Sequence, residues 1–186
     1  MDIDVLGTFN TVKATLPHLV ASAQRNPHPS TNGLTGGRII AISATFHYTG
    51  MPLQAHVAAA KAGVDSLMTS VALEYGPHGL TSNVIAPGPI ANTEGMARLS
   101  GPQMGDMGKR VPGGRLGNVR DVSDATVYLF SDAGSYVNGH VLVVDGASWR
   151  MGGMAGPGVD DSMRYPDFLV SGEIGKGLAG GKQSKL

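Results

Sequence analysis

Three short runs of branched apolar residues constrain the fold more than any other feature of this sequence. They are Arg38–Ser43, Thr81–Ala86 and His140–Asp145; each contains consecutive branched apolar residues, and the first shows no polar alternation along its length. Runs of this kind are typical of strands that are buried on both faces of a parallel sheet. The sequence therefore predicts an α/β fold built on parallel strands.

Longer amphipathic segments separate the runs and predict helices. Ile3–Ala23 has apolar residues at three- and four-residue steps, with a bend expected at Pro17. Gln54–Tyr75 carries one apolar stripe, and Asp121–Phe130 has acidic residues in its first turn, which suits the helix dipole. Strands alternating with helices imply right-handed crossovers. We therefore predict a doubly wound parallel sheet of the Rossmann-like kind.

The sheet so predicted is incomplete. Three strands are few for a domain with helices on both faces, and no glycine-rich phosphate turn joins a first strand to a helix. We expect residues 1–149 to be the C-terminal portion of such a domain and residues 150–186 to be an irregular, glycine-rich tail. Residues 91–118 are rich in Gly, Met and Pro, which predicts a long mobile loop or lid rather than a core element.

Charge and composition make several function classes unfavourable. Fourteen basic and fourteen acidic residues cancel, so long-range attraction to nucleic acid or an anionic membrane is not expected. No apolar run reaches the roughly 18 residues that a bilayer crossing requires. Cysteine is absent and the six histidines show no ligand spacing, so we expect no metal site.

The last three residues, Ser184, Lys185 and Leu186, form a tripeptide that addresses proteins to the peroxisome. We expect a peroxisomal import receptor to bind it and the protein to be located in the peroxisome. The alternative is a tail that ends in these residues by accident.

From Asp2 to about Trp149 the order of landmarks resembles the short-chain dehydrogenase/reductase family. The landmarks are "DVLGTFN", "GRIIAIS", "KAGVDSL", "NVIAPGPI", "RLGNVRDV" and "YVNGHVLVVDG". The resemblance begins in the middle of that family's usual domain. We therefore expect its nucleotide turn and first strands to lie upstream of Met1.

Three departures from the common family pattern narrow the resemblance. The catalytic tyrosine and serine of that pattern would fall at Val57 and Ala44, and its asparagine is replaced by Asp4. Neither valine nor alanine can donate a proton. "MDIDVLGTFN", "ISAT" and "HVAAAKAGVD" resemble the family's peroxisomal 2,4-dienoyl-CoA reductase branch, which works without that tyrosine. This resemblance implies NADPH-dependent reduction of a 2,4-dienoyl-CoA to a trans-3-enoyl-CoA in fatty-acid β-oxidation.

The same resemblance assigns catalytic roles to Asp4 and Lys61. Lys61 would reach the nicotinamide ribose, and the two charged groups would hold between them the water that protonates the substrate. A lysine that lays its stem over apolar neighbours is the structural alternative for Lys61, and a carboxylate favoured by the helix dipole is the alternative for Asp4. The neighbouring His56 fits substrate binding and a structural role equally well, and we do not count it as catalytic.

The resemblance also assigns a cofactor segment and a substrate residue. The cofactor segment consists of Pro87, Gly88, Pro89, Ile90, Ala91, Asn92 and Thr93. The Ile90 amide and the Thr93 hydroxyl would contact the nicotinamide carboxamide. The alternative is that these residues form only a plain turn after a strand. Arg98 would bind the phosphates of CoA, which suits a planar guanidinium, and a solvated surface arginine is the alternative.

Two further expectations concern partners. In the family that the chain resembles, the helices matching Ile3–Ala23 and Gln54–Tyr75 pair across subunits, which implies a homodimer or tetramer. The function also has alternatives, namely a non-catalytic remnant that dimerises or binds CoA, and a family oxidoreductase with another acyl-CoA substrate.

Overall fold

A computed structural model of the chain describes residues 1–27, 36–51, 54–99 and 107–151. Three parallel strands form its sheet in the order β1 (Gly37–Ile42), β2 (Leu80–Pro87) and β3 (Val141–Val144). Gly37 lies opposite Leu80, and Val84 lies opposite both Ala41 and Val141. The three predicted strands are therefore confirmed, and all of them end at the same edge of the sheet.

Six α-helices lie within the described residues. They are α1 (Thr8–Arg25), α2 (Phe46–Thr49), α3 (Ala55–Tyr75), α4 (Glu94–Leu99), α5 (Met107–Arg110) and α6 (Val119–Phe130). The three long helices confirm the three predicted ones. The first differs at its start, because Asp2–Gly7 forms a π-helix that leads into α1.

Helices α1 and α3 cover one face of the sheet, and α6 covers the other. Val12 of α1 and Met68 of α3 pack in one cluster with Leu80 and Val84 of β2. Side chains alternate between the two faces along a strand, and Ala41 of β1 packs on the same face as Val84. Arg38, three residues before Ala41, therefore lies on the other face. Its guanidinium donates to the carbonyl oxygen of Phe130 at the end of α6. Helices on both faces of a parallel sheet confirm the doubly wound, Rossmann-like fold.

Burial differs between the strands. Residues 80–86 of β2 are buried throughout, because both neighbouring strands and both helix layers surround this strand. β1 has one neighbouring strand in the described structure, and Ile42 at its end is 48% exposed. β3 likewise has one neighbouring strand in the described structure and is only partly buried along its length. The expectation that every strand is buried on both faces was therefore wrong for β1 and β3, the two edge strands of the described sheet.

The expectation of a long loop or lid rather than a core element over residues 91–118 was also wrong for the part that the structure describes. Helices α4 and α5 lie in it, and Met96 and Val111 are buried. The hydroxyl of Thr93 accepts a hydrogen bond from the Met96 amide at 3.2 Å, which caps the first turn of α4. Helix α4 is therefore marked by a side-chain cap at its start and not by a periodic pattern of apolar residues.

A reciprocal cap fixes the start of α6. The Asn118 side chain accepts from the Asp121 amide, and the Asp121 carboxylate accepts from the Asn118 amide. Arg115 donates two hydrogen bonds of 2.7 Å to the same carboxylate. The hydrogen bonds from Arg115 have the largest effect, and together with the bond from the Asn118 amide they lower the pKa of Asp121 to about 2.

The pKa of Asp121 generates a prediction about stability and pH. The folded-state pKa lies below the unfolded value of about 3.9, so the ionised group stabilises the fold at neutral pH. We expect Asp121→Asn to lower the free energy of unfolding at pH 7, and this difference to shrink as the pH falls from about 4 to about 2. Urea unfolding across that range measures it. Asp124→Asn, on the same helix, controls for the lost charge, and a difference that stays constant with pH would contradict the prediction.

Candidate active site

The ammonium group of Lys61 lies at the carboxyl edge of the sheet and joins three elements. Its Nζ donates to Oδ1 of Asp4 at 3.0 Å and to the carbonyl oxygen of Ile42 at 3.1 Å. Asp4 belongs to the π-helix, Lys61 to α3, and Ile42 is the last residue of β1. Both charged side chains are partly shielded, with 20% of Lys61 and 38% of Asp4 exposed. The structure therefore brings together the two residues that the sequence analysis proposed as catalytic.

Close packing of the π-helix on α3 makes this contact possible. Gly63 follows Lys61 by two residues, and a Cβ atom at Gly63 would lie 3.0 Å from the Val5 side chain. Val5 is the neighbour of Asp4 in the π-helix. A larger residue at position 63 would therefore require the Val5 side chain to shift. Short π-helical segments occur frequently at functional sites.

The pair leaves polar groups free for a ligand. An ammonium has three N–H donors, and two of those of Lys61 are in the bonds to Asp4 and Ile42. Within the described residues, Oδ2 of Asp4 accepts no hydrogen bond. The two groups contact each other directly, so the expectation of a water between them needs correction. A water bound by both must lie beside the ion pair.

Side chains without hydroxyl groups occupy the two other positions of the common catalytic pattern. Ala44 lies two residues after β1, and Val57 lies on α3 one turn before Lys61. Both are partly buried. A proton donor at this edge must therefore come from elsewhere than these two positions.

The segment from Pro87 to Thr93 follows β2 and is held by backbone bonds. The Gly88 amide donates to Val144 and the Ala91 amide to Gly117, while Pro87 and Pro89 have no N–H. Ile90 forms an isolated bridge with Gly117, and within the described residues its amide has no acceptor. The backbone thus leaves the predicted Ile90 N–H available for a carboxamide oxygen.

The hydroxyl group of Thr93 is largely occupied. It donates to the carbonyl oxygen of Ile90 at 2.9 Å and accepts from Met96. A hydroxyl has one donor and two acceptor lone pairs, so one acceptor position remains. Thr93 would therefore accept from a carboxamide N–H₂ rather than donate to it.

The comparison with protein families agrees with this architecture. The enoyl-(acyl carrier protein) reductase family model matches residues 1–147. The chain belongs to the short-chain dehydrogenase/reductase family. The resemblance seen in the sequence is thereby confirmed.

Individual relatives in this family are similar over part of their length. The (3E)-enoyl-CoA-producing peroxisomal 2,4-dienoyl-CoA reductase SPS19 of Saccharomyces cerevisiae is 46% identical over 177 residues, which are 95% of this chain and 54% of that protein. The peroxisomal 2,4-dienoyl-CoA reductase of Danio rerio is 41% identical over 151 residues, or 80% of this chain and 46% of that protein. The chain spans about half the length of these curated relatives.

Solved structures of the family share the fold. A gluconate 5-dehydrogenase from Burkholderia cenocepacia, in complex with NADP and tartrate, has a TM-score of 0.65 and 30% identity, covering 77% of this chain and 52% of that one. A short chain dehydrogenase from Bacillus anthracis has a TM-score of 0.64 and 32% identity, covering 79% of this chain and 53% of that one.

Some site expectations lie outside the described residues. Arg98 belongs to α4, but its side chain is outside them, as are Ser184, Lys185 and Leu186. Residues 150 and 151 extend a short 3₁₀ helix, Ser148–Met151, and the rest of the predicted tail is also outside. Among the described residues, no group of His, Cys, Asp and Glu has metal-site geometry. No described helix has the length and hydropathy to cross a membrane.

The sequence analysis missed a hydrogen-bonded cluster of His47, Tyr48 and Asp65. Nε2 of His47 lies 2.7 Å from Oδ2 of Asp65, and the Tyr48 hydroxyl donates to the same oxygen at 2.5 Å. The cluster attaches α2, directly after β1, to α3. One signal was available, because Asp65 follows Lys61 by four residues and therefore lies on the same face of the helix.

A second missed group is Asp145, which organises the turn after β3. Its carboxylate accepts from the Ala147 and Trp149 amides and from the Ser148 hydroxyl. Gly88 lies directly against it, since a Cβ atom at Gly88 would lie 2.4 Å from the Asp145 Cβ. The cofactor segment and the turn after β3 are thus packed together through a glycine.

This contact predicts the effect of enlarging Gly88. An alanine there must displace the backbone of Asp145, and overpacking of this kind costs about 1–3 kcal/mol. We expect Gly88→Ala to lower the urea midpoint accordingly. Gly95→Ala is the matched control, because a Cβ atom at Gly95 meets nothing within 4 Å. Equal urea midpoints for Gly88→Ala and the unaltered chain would contradict this prediction, because the segment would then accommodate the added methyl group with no loss of stability.

Proposed function

We propose that this chain carries the catalytic residues of a peroxisomal NADPH-dependent 2,4-dienoyl-CoA reductase. The Lys61–Asp4 ion pair, at an edge where Val57 and Ala44 offer no hydroxyl, is the observation that supports this most strongly. The names of the yeast and zebrafish relatives point to the same reaction. The terminal Ser184-Lys185-Leu186 supports binding to the import receptor and a peroxisomal location.

The described residues fit a nicotinamide cofactor. Lys61 retains one N–H donor for the ribose hydroxyls, and the Ile90 amide and the Thr93 hydroxyl remain for the carboxamide. Pro87, Gly88, Pro89, Ala91 and Asn92 complete the proposed cofactor segment that carries these two groups at the end of β2. When bound, NADPH supplies a hydride, which goes to the δ carbon of the dienoyl thioester. Arg98 is proposed to bind the phosphates of CoA.

The protein must then stabilise and protonate the resulting dienolate. Its negative charge spreads from the α carbon to the thioester oxygen, and the Lys61 ammonium favours charge that develops nearby. A water beside the ion pair, hydrogen-bonded to Oδ2 of Asp4 and lying near the charge of Lys61, would give its other proton to the α carbon. The product is the trans-3-enoyl-CoA, and solvent restores the proton to the water site.

Asp4→Asn in the full natural polypeptide tests the proton donor. The amide keeps the size of the side chain but removes its charge, and loss of general acid catalysis typically costs about 10²–10⁴ in rate. We expect kcat for a dienoyl-CoA to fall by about 10² or more, with a smaller change in KM. Asp2→Asn is the control, because Asp2 lies on the same π-helix and is exposed. An Asp4→Asn variant that keeps most of its turnover would contradict the assignment.

The choice of substrate separates this reaction from others of the family. NADPH oxidation by the natural polypeptide is expected with a 2,4-dienoyl-CoA and not with a 3-ketoacyl-CoA, because reduction of a ketone requires a proton donor to an alkoxide that Val57 and Ala44 do not supply. The reverse preference would favour another oxidoreductase of the family.

Exposed apolar surface favours one second candidate, a non-catalytic chain that dimerises or binds a longer relative. Ile3 is 88% exposed, Leu6 and Phe9 are about half exposed, and β1 has a free edge in the described structure. Apolar patches and free edges are typical contact surfaces. This candidate predicts a homodimer or a mixed oligomer without NADPH oxidation, and sedimentation together with the assay above distinguishes it. A reductase is equally expected to be a dimer or tetramer.

A further inference from the structure

Two aromatic rings meet at the carboxyl edge of the sheet, where the Lys61–Asp4 pair also lies. Tyr48 belongs to α2 just after β1, and Trp149 belongs to the 3₁₀ helix after β3. Their ring centroids are 5.7 Å apart with a tilt of 56°. Tyr48 remains 43% exposed and Trp149 is half-buried. The pair therefore presents apolar ring surface at the same edge of the sheet as the proposed reaction centre.

Tyr48 presents its ring rather than its hydroxyl group. The hydroxyl donates to Oδ2 of Asp65, which also contacts His47. Partial burial, together with the hydrogen bond to Asp65 and the charge of Asp65, raises the pKa of Tyr48 well above its ordinary value. Tyr48 is therefore a poor proton donor and does not replace the tyrosine missing at Val57. What it offers to a ligand is an apolar surface.

Trp149 is fixed in place from two sides. Its amide donates to Asp145 at 2.7 Å, and the Arg150 guanidinium lies 3.9 Å from the centre of an indole ring. Asp145 packs on Gly88 of the cofactor segment. A series of direct contacts thus links Gly88, Asp145, Trp149 and Tyr48 to Asp65 on α3, one turn beyond Lys61. An aromatic surface held this firmly loses little side-chain entropy when a ligand binds.

We propose that Tyr48 and Trp149 form the binding surface for the acyl chain of the CoA thioester. This inference rests on the proposed function and adds to it the residues that recognise the apolar part of the substrate. Aromatic side chains bury large apolar areas, and the exposed Arg150 places a cation beside them. An acyl-CoA has the complementary pattern, an apolar chain joined to an anionic phosphate-bearing group.

The fluorescence of Trp149 gives a direct test, because it is the only tryptophan of the 186-residue sequence. Hexadecanoyl-CoA, a saturated thioester that cannot be reduced, is titrated below its micellar concentration into the full natural polypeptide. We expect a saturable change in the emission of Trp149, and no such change with CoA alone. A CoA thioester with bromine on its chain is expected to quench Trp149 more strongly than the unbrominated thioester, since bromine quenches on contact.

Two variants of Tyr48 separate the ring from the hydroxyl. Tyr48→Ala removes the ring and is expected to weaken binding of hexadecanoyl-CoA at least about tenfold, the effect of losing one large apolar contact. Tyr48→Phe keeps the ring and is expected to bind within about twofold of the unaltered chain. Tyr136→Ala is the matched control, because Tyr136 is fully exposed before β3, at the opposite edge of the sheet.

The outcomes distinguish this inference from the proposed reaction. Saturable, Tyr48-dependent binding without reduction of a dienoyl-CoA would support the acyl surface and overturn the reductase. Reduction with no response of Trp149 to either thioester, or with equal binding by Tyr48→Ala, would overturn the acyl surface alone. If Tyr48→Ala does not fold, the bromine comparison on the unaltered chain decides the inference.

Discussion

The contact of the Lys61 ammonium with Asp4 and with the end of β1 is the interaction on which the site depends. It joins the π-helix, α3 and the central sheet at one point, with bonds of 3.0 and 3.1 Å. Removing the charge of either partner would leave the other partly buried charge without its ion pair. The carboxylate thereby fixes the direction of the ammonium at the end of β1.

Two further groups of contacts do not involve Lys61 or Asp4. His47 and Tyr48 attach the segment after β1 to Asp65, and Asp145 attaches the segment after β3 to Gly88. Both sets lie at the carboxyl edge, where parallel sheets place their ligands. Lys61 and Asp65 are one helical turn apart, so a single helix holds both the charged pair and the aromatic surface. The geometry places the two proposed tasks apart, protonation at Lys61–Asp4 and apolar recognition at Tyr48–Trp149.

Much of the fold was predictable because local pattern and tertiary environment agree. The segment Thr81–Ala86 became the buried part of β2, and the stripe on Gln54–Tyr75 became the buried face of α3. The Lys61–Asp4 contact was predictable only through the family resemblance, since 57 residues separate the partners. The sequence analysis placed them near each other but expected a water between them.

Other features depend on individual contacts that leave no periodic pattern in the sequence. Helix α4 begins at a cap from Thr93, and the π-helix needs the absent side chain of Gly63 to lie so close to α3. The His47–Tyr48–Asp65 cluster joins two elements through a short irregular segment, which leaves no repeating signal. Ile42 at the end of β1 is 48% exposed, which its apolar run does not indicate.

The most direct test of the central claim is a double-mutant cycle on the rate of dienoyl-CoA reduction, with Asp4→Asn, Lys61→Met and both together in the full natural polypeptide. Residues that act as one unit have strongly non-additive effects on rate. We predict that the double variant is no slower than the slower single variant. Losses that multiply would mean that Asp4 and Lys61 act independently, and would contradict the shared water on which the proposed mechanism rests.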